Sequence, residues 1–131
     1  MFYLFGSRLT KKIYDDFREP DDWDYVTNDI NDNAKNNGYY YIQPTPDREM
    51  NGDEIITLRI SHMIFKHKWQ EAYNDVMFLK SKGCKLIPSF LDELRNFWNT
   101  DKLHIRRERC SEEQLEIVKR LEKECQIYIN H

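Results

Sequence analysis

Met1-Phe2-Tyr3-Leu4-Phe5-Gly6-Ser7-Arg8-Leu9 opens the chain, and Pro20-Asp21-Asp22-Trp23-Asp24-Tyr25-Val26 follows eleven residues later. Phe2 to Phe5 is a short apolar run of strand type, broken at once by Gly6-Ser7. Leu9, Ile13 and Phe17 recur every four residues, which is the spacing of one helical face, and Pro20 is expected to end that helix. After Pro20, carboxylates and aromatics alternate at period two, the signature of a strand. The order over residues 1–26 reads strand, Gly-Ser turn, helix, strand.

That order carries chemistry. Alternation along the second strand puts Asp22 and Asp24 on one face and Trp23 and Tyr25 on the other, towards the helix. Two carboxylates about 7 Å apart along a strand can grip a divalent cation. Two such cations can clamp a triphosphate and an attacking hydroxyl. Gly6, lacking a Cβ, allows a phosphate to approach the backbone; Ser7 adds a hydroxyl, and the amides of a starting helix favour an anion. The plain alternative is a solvated acidic turn after an ordinary strand-to-helix loop.

Phe5-Gly6-Ser7 followed by Asp22-Trp23-Asp24-Tyr25 resembles the nucleotidyltransferase superfamily of the DNA polymerase beta type, in its minimal form. The family pattern is a hydrophobic residue, Gly, Gly or Ser, a helix-length spacer, then Asp-x-Asp between hydrophobics; the spacer here, Arg8 to Asp21, is slightly long. The resemblance implies transfer of a nucleoside monophosphate from a nucleoside triphosphate to a hydroxyl. It implies Asp22 and Asp24 as catalytic carboxylates holding Mg²⁺ or Mn²⁺, Gly6 and Ser7 around the β- and γ-phosphates, and Arg8 as a charge partner. It also implies a third carboxylate on a neighbouring strand. The stretch Asp53-Glu54-Ile55-Ile56-Thr57-Leu58-Arg59-Ile60 is read as that strand, with Glu54 the first choice and Asp53 the second. The two would face opposite sides, so one alone would serve. The plain alternative is two exposed charges at a strand entry.

A second resemblance covers roughly residues 1–100. Leu58-Arg59-Ile60-Ser61-His62 and Asn74-Asp75-Val76-Met77-Phe78-Leu79-Lys80-Ser81-Lys82-Gly83-Cys84 are similar to segments of small nucleotidyltransferase-like proteins of tailed bacteriophages and some bacteria. It implies a host-cytoplasmic setting for a phage-encoded protein and leaves the biological role open.

Composition sets outer limits. At 131 residues the chain is long enough for one modest core. A net charge of −3 argues against a protein built mainly to coat nucleic acid, while leaving room for a local basic patch. No apolar run approaches the ~20 residues of a membrane span, and Phe2 to Phe5 is too short for a signal peptide core. The three cysteines, Cys84, Cys110 and Cys125, lack zinc-site spacing and are expected to be reduced in a cytoplasmic protein.

The rest of the chain is mainly helical in pattern. Residues 28–37 are polar, with Ile30 and Ala34 four apart, and read as a short helix or an irregular connection ending at Gly38, and Tyr39 to Gln43 reads as a strand ended by Pro44 and Pro46. Beyond Ser61-His62, Trp69 to Lys82 shows helical recurrence with Gly83 as its stop, and Pro88 to Asn99 carries a stripe of Phe90, Leu91, Leu94, Phe97 and Trp98. The pair suggests an α-hairpin; the second helix lacks the polar row of a DNA-reading helix. His62 is read as a strand-end polar residue or, functionally, a phosphate contact. His104-Ile105-Arg106-Arg107-Glu108-Arg109 is a basic cluster whose plain reading is a mixed-charge connector and whose functional one is contact with a phosphate backbone. Ser111-Glu112-Glu113-Gln114 is a capping box opening a final helix with Leu115, Val118, Leu121, Cys125 and Tyr128 inward.

The expected fold is α+β: a small mixed sheet with helices on one face and a helical C-terminal half. A single domain over 1–131 would have its core at about 1–62 and its helical part at about 63–131. The expected partners are a nucleoside triphosphate and an acceptor that is RNA, protein or a small molecule, with no membrane. The competing expectation is a catalytically inactive protein of the same fold, binding a host protein or nucleic acid.

Overall fold

Tyr3–Phe5 (β1) and Asp24–Val26 (β2) pair antiparallel, with Tyr3 opposite Val26, Leu4 opposite Tyr25 and Phe5 opposite Asp24. This is a computed structural model, and it describes residues 3–21, 23–27 and 48–126. The chain divides into two compact units, Met1–Ile55 and Ile56–His131.

In the first unit, Gly6–Ile13 forms α1, packed on both strands. A three-residue pair of strands is marginal alone, so this helix covering supplies much of its stability. Phe5, Leu9, Phe17 and Val26 are buried there. The helix stops at Ile13 rather than running to Pro20. Asp15-Asp16 would place two negative charges at the negative end of the helix dipole. Tyr14 is extended instead, and the Lys11 ammonium donates to the carbonyls of Asp15 at 2.6 Å and Phe17 at 2.8 Å. The turn so held still buries Phe17, while Ile13, which shares its spacing, is 42% exposed. Trp23 precedes β2 and is 56% exposed rather than tucked beneath the helix.

Gly52–His62 is a helix, α2, where a strand was expected over 53–60. Ile55, Ile56, Thr57, Leu58, Arg59, Ile60 and Ser61 are all buried. A helix buried on every side shows no amphipathic period, and its β-branched run imitates a core strand. The local signal favouring the helix is Asn51-x-x-Glu54. The Asn51 Oδ1 accepts from the Glu54 amide at 3.0 Å, and Glu54 Oε1 accepts from the Asn51 amide at 3.0 Å, a reciprocal cap. The sheet among the described residues is therefore an antiparallel pair rather than a mixed sheet. The strand expected at 39–43, like the connection at 28–37 and Tyr128, lies outside the described residues.

In the second unit a short 3₁₀ turn, Lys66–Lys68, leads into α3, Trp69–Ser81; α4 is Pro88–Thr100 and α5 is Glu112–Cys125. These helices lie where the periodicity placed them. Gly83, at φ +83°, ends α3, with the amide of Cys84 on the Leu79 carbonyl at 3.1 Å and that of Gly83 on Lys80 at 3.0 Å. Pro88 opens α4, and the Ser111–Gln114 capping box opens α5. The core gathers Ile60, Met63, Val76, Leu79, Leu91, Leu94, Trp98, Val118 and Leu121. Each fully buried aliphatic side chain contributes roughly 1.5–3 kcal/mol. α5 is tied to α4 by a two-pronged Arg95–Glu122 pair at 2.9 and 3.0 Å, and to α3 by Lys80–Glu124 at 2.8 Å. Inside, Arg59 meets Asp75 at 3.1 Å with both side chains nearly inaccessible. The protein is thus α+β, with five α-helices and a two-stranded antiparallel sheet among the described residues. Among those residues no helix is long and apolar enough to cross a membrane. Cys84, Cys110 and Cys125 are free thiols, the first and last buried.

Candidate functional site

The site begins at Gly6. Its φ of +73° lies in the left-handed region, which an L side chain enters at a cost of roughly 1–2 kcal/mol. Register explains why the chain turns there. Phe5 is paired with Asp24, so the next residue leaves the ladder beside the Asp24 side chain. A Cβ on Gly6 would lie 3.0 Å from Asp24 Oδ2 and 3.6 Å from Asp24 Cβ. The glycine is needed twice, for its backbone angle and for the space the carboxylate occupies. Thr10, buried, fixes the turn from the other side by donating from Oγ1 to the Gly6 carbonyl at 2.9 Å.

Ser7 and Arg8 occupy the first turn of α1, which contains no acidic residue; Phe5 before it supplies no side-chain cap. The Ser7 hydroxyl accepts from Arg18 Nη2 at 2.8 Å. Arg8 is engaged elsewhere: its Nη2 donates to the Pro20 carbonyl at 3.3 Å, and its guanidinium lies 4.3 Å from the centre of the Trp23 ring. Arg18, which no sequence motif singles out, is the guanidinium at the Gly-Ser turn. It gets there because the chain folds back after Tyr14, whereas periodicity up to Pro20 would place it on a continuing helix. The structure therefore brings Gly6, Ser7, Asp24 and Arg18 together. Asp22 lies outside the described residues.

Glu54 stands apart from that arrangement in its bonding. It lies in the first turn of α2, not on a strand. Arg48 grips it with both ends, Nη1 to Oε1 at 2.6 Å and Nη2 to Oε2 at 3.2 Å, while Oε1 also caps the Asn51 amide. The Glu54 hydrogen bond and then its charge push the Arg48 pKa up. Asp53 is in the same helical turn.

A divalent cation needs several oxygen donors. Asp24 has the right chemistry, since its carboxylate is a hard oxygen donor beside the Gly-Ser turn. Glu54, expected as the third ligand, has both oxygens turned to Arg48 and to the Asn51 amide, so a cation there would have to compete with the Arg48 guanidinium. Among the described residues no three His, Cys, Asp or Glu side chains gather in a group able to hold a metal.

His62, the last residue of α2, caps no strand. Its ring packs against Trp98 at a centroid distance of 5.1 Å, and Nδ1 is buried without a hydrogen-bond partner. Burial first, then the charge of Arg59, pushes its pKa well below the ordinary histidine value. The half-buried ring is thus held neutral against Trp98 and carries no positive charge to offer a phosphate.

No family model, curated protein or solved structure matches the chain.

Proposed function

We propose that the strand, Gly-Ser turn, helix and strand of the first unit form a nucleoside triphosphate site, and that the protein transfers a nucleoside monophosphate to a hydroxyl acceptor. The supporting observation is the juxtaposition of Gly6, at positive φ, with the Asp24 carboxylate. A left-handed glycine opening a helix lets a phosphate approach the main chain, and a carboxylate beside it is where a phosphate-bound cation would sit. Asp24 and Asp22 would hold Mg²⁺ or Mn²⁺, which when bound neutralises triphosphate charge. Ser7 offers a hydroxyl to the terminal phosphates, and Arg18, rather than Arg8, offers the guanidinium. Such a site works by positioning and charge rather than by a covalent step. Glu54 has no part in this reading.

The experiment is incubation of the protein with each nucleoside triphosphate labelled at the α-phosphate, Mg²⁺ or Mn²⁺, and bacterial RNA and protein. Label should pass to a macromolecule, and Asp24→Asn should abolish transfer while the circular dichroism spectrum is unchanged. Transfer undiminished in Asp24→Asn would sink the proposal.

One observation favours a second reading, a non-catalytic protein of this architecture that binds a host protein or nucleic acid. Glu54, the carboxylate expected to complete the metal site, is held by Arg48 and Asn51. On that reading a partner would be captured equally well by Asp24→Asn, with no pyrophosphate released.

A further inference from the structure

In the second unit, a segment near 66 and a segment near 107 run side by side. Phe65 and Arg109 form an antiparallel bridge, with the Lys66 amide on the Glu108 carbonyl at 3.0 Å and the Cys110 amide on the Ile64 carbonyl at 2.8 Å. This pairing merges two short basic runs that are forty residues apart in sequence. Residues 64–68 and 101–110 together carry Lys66, Lys68, Lys102, Arg106, Arg107 and Arg109, against the carboxylates Asp101 and Glu108. The Asp101 carboxylate is turned to His104 Nδ1 at 2.6 Å. Glu108 meets Lys66 at 3.1 Å, but that pair is highly exposed and worth little. All the cations except Arg109 are exposed; Arg109 is half-buried, its guanidinium 4.9 Å from the centre of the Phe65 ring. The patch is a concentrated exception on a chain of net charge −3.

We propose that this surface binds the phosphate backbone of a polynucleotide. Its cations are spread along two adjacent stretches of backbone, as a linear polyanion requires, rather than gathered in a pocket for one small ion. Half of them are arginines, whose planar forks match phosphate oxygens. His67 is joined to Arg107 by a hydrogen bond of 2.9 Å between its Nε2 and Arg107 Nη1, which spans the two segments. Partial burial, followed by the charges of Arg107 and Lys68, lowers its pKa, so the ring is a neutral acceptor that holds Arg107 in place. Leu103 and Ile105, 75% and 49% exposed, lie on the same turn and raise the contrasting case of an anionic membrane. Sequence-readable membrane binders of this size use an amphipathic helix, whereas residues 102–107 are turns and bends. This proposal does not depend on nucleotidyl transfer, since other residues carry it.

The test is fluorescence anisotropy of a labelled 20-nucleotide single-stranded RNA, and of DNA of the same sequence, titrated with the 131-residue protein from 50 to 200 mM salt. Vesicles of phosphatidylcholine with phosphatidylserine serve as the competing surface. Binding of RNA or DNA should weaken with a log–log salt slope of about −3, as four or so phosphate contacts on a single strand require. Arg106→Gln/Arg107→Gln should weaken binding about tenfold or more and make the slope shallower by about 0.7 for each phosphate no longer neutralised. Lys66→Gln/Lys68→Gln should do likewise. These side chains are exposed, and unchanged melting curves would exclude misfolding. The proposal is overturned by no binding at 50 mM salt, by variants that bind as tightly as the parent, or by capture on anionic vesicles alone.

Discussion

Gly6 and Asp24 crowd each other at position 6: a Cβ there would stand 3.0 Å from Asp24 Oδ2, tight enough that the carboxylate must give way, on a backbone already at φ +73°. Gly6→Ala should therefore lower stability by about 1–2 kcal/mol from the backbone angle alone. It should also weaken triphosphate binding by pushing the Asp24 carboxylate aside. Melting temperature and isothermal titration with a non-hydrolysable triphosphate in Mg²⁺ read the two effects. An alanine variant that melts lower yet binds with parental affinity would remove the turn from the nucleotide site.

Glu54 should behave as a structural residue. Glu54→Gln keeps an oxygen for the Asn51 amide but loses the charge facing Arg48. The expected result is label transfer within twofold of the parent. Asn51→Ala removes the reciprocal cap and should cost about 1 kcal/mol in urea unfolding. A hundredfold loss of transfer in Glu54→Gln, with stability retained, would restore it as the third carboxylate.

Arg59 and Asp75 form the ion pair most deeply withdrawn from water among the described residues, with side chains 8% and 2% exposed. Removing Arg59 leaves the Asp75 charge buried, at a typical cost of about 3–5 kcal/mol, whereas without Asp75 the guanidinium keeps Glu71 at 3.9 Å and the loss should be smaller. Asp75→Asn and Arg59→Met should each unfold at lower urea concentration, Arg59→Met at the lower of the two. The double variant Arg59→Met/Asp75→Leu should recover much of the loss. Additive losses in that cycle would show that the two ions are not coupled.

His62 gives the second unit a dependence on acid. Its folded pKa is depressed, by burial first and then by the positive charges of Arg59, Lys68, His104 and His67. The unfolded chain takes up a proton near pH 6.5, while the folded imidazole stays neutral. Below that point the unfolded state binds more protons, so stability falls as pH falls, by up to about 1.4 kcal/mol per pH unit for this group. Urea midpoints at pH 7.5 and 5.5 should separate, and His62→Phe should narrow the gap. A gap unchanged in His62→Phe would place the acid sensitivity elsewhere.

What could be read from sequence follows the contrast between wet and dry faces. α3, α4 and α5 each keep an exposed side, so their apolar residues recur at helical spacing, and Gly83, Pro88 and Ser111 mark their ends. α2 has no wet side, and Ile55-Ile56-Thr57 then reads as a strand; only Asn51 and Glu54 mark the helix start. The Gly-Ser turn and β2 were legible because glycine and alternating acids are local signals. Arg18 was not, because its place depends on where α1 stops. That stop is set by Asp15, Asp16 and the reach of Lys11 rather than by Pro20. The basic surface of the second unit was half visible, as one run at 104–109. The backbone pairing that adds Lys66 and Lys68 is a tertiary fact.

The Arg8–Trp23 stack has an optical consequence. Trp23 is the water-exposed indole, whereas Trp69 and Trp98 are 7% and 1% exposed, Trp98 donating from Nε1 to Ser61 at 2.9 Å. Acrylamide should quench the long-wavelength emission of Trp23 and leave the blue-shifted emission of the other two largely untouched. Trp23 adjoins Asp24, and its cationic neighbour belongs to the first turn of α1. On the proposed function, a triphosphate at the turn should therefore change the colour and quenching of one natural fluorophore, without a label, while the two enclosed indoles report separately on the integrity of the helical unit.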